Sequence, residues 1–187
     1  MEDSNAVQLL NVRAYSVEKA VMEGNLEEVK IIPNSTIEKL RQSKKGETFG
    51  ALKLLEDIIA TTQNNQTKAL AEVLLRKLRY SSQGILVTAD PYLLPAVEGM
   101  TDGRSISLNP KILSSYHTTE RVLLHEIIHC VVKDSPELET TVEQLRKDAI
   151  KALAQATGKT QQEIQESEYG FKNNDEFIAE FFTNYAF

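Results

Sequence analysis

Residues 122–132, Val-Leu-Leu-His-Glu-Ile-Ile-His-Cys-Val-Val, constrain this chain more than any other stretch. Only His125, Glu126 and His129 are polar there. Read as a helix, the stretch is apolar on nearly all sides and belongs in a core. Burying a carboxyl group and two imidazoles costs free energy unless something compensates them. The spacing suggests what does. His125 and His129 stand four residues apart, so both project from one face, one turn apart. Two imidazole nitrogens so placed can converge on one metal ion. Glu126 is rotated off that pair by about 100° and can reach a water held there.

His-Glu-x-x-His on a helix is the arrangement of zinc metallopeptidases, with two ligands and a general base. The rest of the composition leaves room for such a role. The chain has 187 residues, enough for one well-buried core with a small extension. Its net charge of −6, with no compensating cluster of Lys and Arg, argues against a nucleic-acid partner. No apolar run approaches membrane-spanning length, and the N-terminus lacks the layout of a signal peptide. The expected location is therefore cytoplasmic. The single cysteine, Cys130, fits a reducing compartment and reads as a core residue.

Residues 1–45 read as an N-terminal extension packed on a main domain of residues 46–187. Within the extension, Val17, Ala20 and Val21 suggest a helical turn, and residues 26–32 a strand. Ser35-x-x-Glu38 has capping-box spacing and opens a short helix. Phe49, Leu52, Leu55 and Ile59 mark one helical face, and Leu70, Val73, Leu74 and Leu78 a second. Residues 84–88 and 104–108 read as strands, with mostly loop between them. A free edge of the second strand is a candidate dock for an extended peptide. Thr118 or Thr119 is placed to cap the motif helix. Thr140-x-x-Glu143 and Thr160-x-x-Glu163 are further capping-box patterns, and Asn173 or Asn174 caps a last helix. The expected fold class is α+β and predominantly helical, with a short antiparallel strand pair beside the motif helix.

A catalytic zinc usually takes three protein ligands. Continuation of the motif to a glycine and a third histidine is excluded, because those positions hold Val132 and Ser135. His117 lies eight residues before His125, about 12 Å along a continuous helix. A carboxylate remains. Glu176, on the last helix, is the best candidate, and Glu180 follows one turn on. Glu180 is placed to accept a hydrogen bond from the far nitrogen of a ligating histidine. The plain alternative is that both form the solvated face of an amphipathic helix.

The paired motifs resemble the gluzincins, the thermolysin-like zinc peptidases. The layout is similar to the small single-domain gluzincins, and Glu-Phe-Ile-Ala-Glu looks like peptidase domains of phage and mobile-element proteins. The resemblance covers roughly residues 46–187 and implies a zincin-like fold. It implies zinc as cofactor, held by His125, His129 and Glu176, with Glu126 as general base and Glu180 as the acid behind a ligand. It implies hydrolysis of a peptide or protein substrate by water activated on zinc. The spacer between His129 and Glu176 is longer than in thermolysin. The lobe that carries the oxyanion donors in larger relatives has no counterpart here. Candidate donors are Tyr169, Tyr185, Tyr116 and His117. Two other functions fit the same residues. One is a narrow-specificity intracellular regulatory peptidase of the repressor-cleaving type. The other is a non-catalytic zinc-binding helical interaction module.

Overall fold

The computed structural model describes residues 35–81 and 84–184. The expected helical turn near Val17 and the strand over residues 26–32 lie outside those residues. The fold is α+β and mostly helical, with a four-stranded mixed sheet. The helices are α1 (Thr36–Arg41), α2 (Ala51–Thr61), α3 (Asn65–Tyr80), α4 (Tyr116–Lys133), α5 (Glu139–Thr157), α6 (Gln161–Ser167) and α7 (Asn174–Thr183). The strands are β1 (Thr48–Gly50), β2 (Leu86–Ala89), β3 (Gly99–Thr101) and β4 (Ser105–Leu108), in the order β1-β2-β4-β3.

The sheet differs from the expected antiparallel pair. β2 and β4 run parallel, whereas β3 pairs antiparallel with β4. Parallel neighbours need a crossover between them. Residues 90–98 supply it, and the chain then turns back through β3 before entering β4. The turn is closed by Asp102, whose side chain accepts from the backbone N–H groups of Arg104 (2.8 Å) and Ser105 (2.7 Å). Gly103 there has φ +95°, the left-handed region that favours glycine. The stretch read as loop thus contains a strand too short to show alternation. β4 lies inside the sheet, so among the described residues the outer strands are β1 and β3, not residues 104–108.

α4 is the central element. It contacts α3, α7, β3 and β4. Its N-cap is Ser115, whose hydroxyl accepts from the Thr118 N–H, so the helix starts ahead of the expected Thr118 or Thr119 caps. Leu123 and Ile127 on it are fully buried. The inward side chains of the sheet, Val87, Ala89, Ile106 and Leu108, join the same core. α2 buries Leu54, Leu55 and Ile58 at spacing i, i+1, i+4. Of the expected face, Leu55 is buried and Ile59 packs against the core, whereas Phe49 belongs to β1 and Leu52 is exposed. On α3 the expected Leu70, Val73, Leu74 and Leu78 are all buried.

α1 packs into the core through Ile37 and Leu40, both fully buried. Ser35 caps it, and the buried Asp57 carboxylate accepts from the Ile37 N–H (3.0 Å). Thr160 and Glu163 form the full capping box of α6, but Thr140 lies inside α5, whose first turn begins at Glu139. Gly158, at φ +71°, ends α5. Among the described residues no helix is long and apolar enough to cross a membrane.

Arg41 ties α1 to the segment that leads into α4. Its guanidinium donates to the carbonyls of Leu113 (2.7 Å) and Ser114 (2.9 Å), and it stacks 4.0 Å from the Tyr116 ring centre. Replacing Arg41 with Ala removes these charged hydrogen bonds and should cost about 1–2 kcal/mol in urea unfolding. An unchanged unfolding midpoint would show that α1 does not brace the entry to α4.

Candidate metal centre

α4 turns two adjacent faces to two different neighbours. His125 and His129 face α7, while Val122, Glu126 and Cys130 lie along β3. One residue step rotates a helix by about 100°, and this separates the imidazoles from the carboxyl group between them.

α7 is held in register for the encounter. The Asn173 side chain caps it by accepting from the Glu176 N–H (2.8 Å). Arg146 on α5 donates to Asn174 Oδ1 (2.8 Å) and to the Phe171 carbonyl (2.9 Å). Phe177, Ile178 and Phe182 are buried against the core, and Phe171 stacks on Phe177. These contacts bring Glu176, Glu180 and Thr183, at spacing i, i+4, i+7, against the histidines.

His125 Nε2 and His129 Nε2 lie 3.1 Å apart. Glu176 Oε2 stands 3.5 Å from the first and 3.6 Å from the second. That oxygen is buried and takes no hydrogen bond. The three atoms form a nearly equilateral triangle. Ligands at about 2.0–2.1 Å from a tetrahedral zinc lie about 3.4 Å from one another, so the edges fit such an ion. His125, His129 and Glu176 together form a group able to hold a metal ion.

The other side of the His125 ring fixes which nitrogen is free. Glu180 Oε1 and Thr183 Oγ1 each lie 3.4 Å from Nδ1. Thr183 gives its own hydrogen to the Ala179 carbonyl (2.7 Å), so it faces the ring as an acceptor. An ionised carboxylate also only accepts. The proton therefore belongs on Nδ1, which leaves the Nε2 lone pair for a metal. The sequence reading missed Thr183. Its place three residues after Glu180, on the same helix face, was the available signal.

Charge in the site is tightly coupled. Burial pushes the Glu176 carboxyl up, but His125, His129 and Tyr169 outweigh it and hold it well below the usual carboxylate range. Burial pulls His129 down, yet the charges of Glu176, Glu126 and Asp175 leave it above an ordinary imidazole. Burial raises Glu126, and Glu176 adds to this against the opposing pull of the histidines. Among the described residues no hydrogen bond acts on the Glu126 carboxyl, which opens into the cleft between β3 and α7. The cleft has two lobes of about 450 and 400 Å³ that share Gly99, His125, Glu126 and Tyr169.

Of the candidate donors, Tyr169 stands at this cleft. Burial and the neighbouring Glu176 push its phenol up to about 12, so its hydroxyl keeps its proton. His117 does not reach the site. α4 already begins at Tyr116, so the helical rise holds His117 two turns away, at a separate small pocket with Glu120 and Phe182. Tyr116 instead donates to Glu38. Tyr185 lies outside the described residues. Cys130 is buried with its sulfur 3.2 Å from Thr101 Oγ1, away from the triangle, and burial raises its thiol.

Comparison with known proteins found no matching family model, no matching curated protein and no matching solved structure.

The triad makes a quantitative prediction. The chain should bind one zinc ion, and zinc at a hundredfold excess over its Kd should add about 2.7 kcal/mol of stability, seen as a raised Tm. Glu176→Ala should weaken zinc binding by more than about tenfold in a chelator competition. Equal zinc affinity in this variant would remove Glu176 from the ligand set.

Proposed function

We propose that the chain is a zinc-dependent metallopeptidase of gluzincin type. The observation that supports this most is the pairing of the His125–His129–Glu176 triangle with a carboxyl group, Glu126, on the adjoining face of the same helix. A purely structural zinc site has no use for an unbonded acid beside it. A buried motif helix, a sheet whose outer strand flanks it and a glutamate helix opposite also agree with a zincin-like layout.

A zinc ion in the triad supplies Lewis-acid polarisation of the scissile carbonyl and makes a water molecule more acidic. The chain's own groups do the rest. Glu126 takes a proton from the attacking water as its oxygen bonds to the carbonyl carbon. It then delivers that proton to the amide nitrogen as the C–N bond breaks, releasing an amine and a carboxylic acid. The raised affinity of Glu126 for protons favours its uptake of the proton from water. Tyr169 is the donor best placed to hydrogen-bond the developing oxyanion. Glu180 and Thr183 hold the His125 ring in orientation through Nδ1. Among the described residues β3 has β4 on one side only, and its other edge is suited to pair with an extended peptide laid along the cleft.

Glu126→Gln should retain zinc and lose cleavage of a quenched peptide library. Turnover in that variant at the wild-type rate would end the role assigned to Glu126. Glu180→Ala should lower zinc affinity about 10–100-fold without abolishing cleavage at saturating zinc. Unchanged affinity would show that Glu180 does not support His125.

A further inference from the structure

The cleft contains one feature that the peptidase reading does not use. Gly99, the first residue of β3, faces α4 beside Glu126. A Cβ built on Gly99 would lie 2.8 Å from Val122 Cγ1 and 3.1 Å from both Cγ and Oε1 of Glu126. A Cβ at Gly46, Gly50, Gly84 or Gly158 would meet nothing within 4 Å. At Gly103 it would meet only the flexible side chain of Lys133. Gly99 does not have a positive φ, so its backbone suits any residue. The absence of a side chain there serves close approach, not a turn.

The approach cannot be relieved cheaply by moving the strand. Gly99 pairs with Leu108 on β4. On one side of it, the Glu98 carbonyl accepts from the Asn109 N–H (2.8 Å), and the Glu98 carboxylate pairs with Arg121 on α4. On the other side, Thr101 Oγ1 donates to the Ser105 carbonyl (2.6 Å) and lies against Cys130. β3 is thus pinned to both α4 and β4 around Gly99. Val122 is buried and β-branched, so it has few other rotamers. Glu126 is the yielding partner, because no hydrogen bond from the described residues holds its carboxyl group.

We propose that Gly99 is a positioning residue for Glu126: its bare Cα forms the wall against which the carboxyl group is set, at the edge where a peptide would pair. The inference rests on the reading of Glu126 as the base. It explains why the cleft's outer strand begins with a glycine although its backbone needs none. Any larger residue at position 99 pushes the carboxyl group towards the triad or out into the cleft, while the metal ligands, which face α7, stay in place.

The experiment compares wild-type protein, Gly99→Ala and Gly99→Ala/Val122→Ala, each loaded with zinc. Zinc affinity should be the same in wild type and Gly99→Ala. A misplacement of a few tenths of an ångström to 1 Å should lower kcat roughly 10- to 100-fold, with a much smaller change in KM. Removing the Val122 methyls should restore part of any Tm lost in Gly99→Ala, but not kcat. Recovery of kcat in the double variant would overturn the proposal, because the defect would then be packing against Val122. Wild-type kcat in Gly99→Ala would overturn it as well. A crystal structure of Gly99→Ala supplies a readout independent of turnover. It should show the Glu126 carboxyl displaced and the ligand triangle unchanged; an unmoved carboxyl overturns the proposal. Absence of turnover in the wild type would instead count against the peptidase reading, and the Gly99 inference would still be decided by that structure.

Discussion

The described structure depends on how α4 accommodates the burial of His125, Glu126 and His129 among its ionisable groups. His125 and Glu126 are less than a tenth exposed, and His129 is little more so. Isolated charges in such a place are prohibitive, so each needs a partner that the helix itself cannot offer. α7 provides partners for the histidines, with Glu176 before Nε2 and Glu180 and Thr183 behind Nδ1. The packing of α7 is directed to that end. Phe177, Ile178 and Phe182 sink into the core, and Arg146 clamps the turn before the helix. The acidic face is left with no direction except towards the histidines.

Glu126 is treated differently. It shares a helix with His125 and His129 but faces a strand, and no hydrogen bond from the described residues fixes it. A group held by walls rather than by partners keeps some freedom of movement. Gly99 gives that wall a bare Cα beside Val122 and Glu126. The histidines are fixed by charge and the glutamate by shape. This division follows from the 100° step between neighbouring residues on one helix.

Much of the helical framework was legible from residue types alone. The apolar periodicity of α3, the capping box of α6 and the stop at Gly158 rest on interactions within a few residues, so no tertiary information was needed. The sheet was less legible. A three-residue strand such as β3 is too short for alternation, and its partner lies across a turn closed by a side chain. The parallel pairing of β2 with β4 depends on a crossover whose path no local pattern records. The same limit hid the true edge of the sheet. The expected face of α2 holds at Leu55 and Ile59 but not at Phe49, which lies in a strand.

The sequence by itself determined the donor set. His125, Glu126 and His129 share one helix, and the i, i+4 spacing of Glu176 and Glu180 puts both on one side of another, as rise and twist require. Only the tertiary structure decided that those two helix faces meet with atoms of His125, His129 and Glu176 3.1–3.6 Å apart. It alone added Thr183 to the acceptors behind His125, removed His117, and set Gly99 against Glu126. Spacing along a helix is a local property fixed by hydrogen bonds four residues apart. The approach of two helices and a strand is set by long-range packing, which residue types permit without specifying.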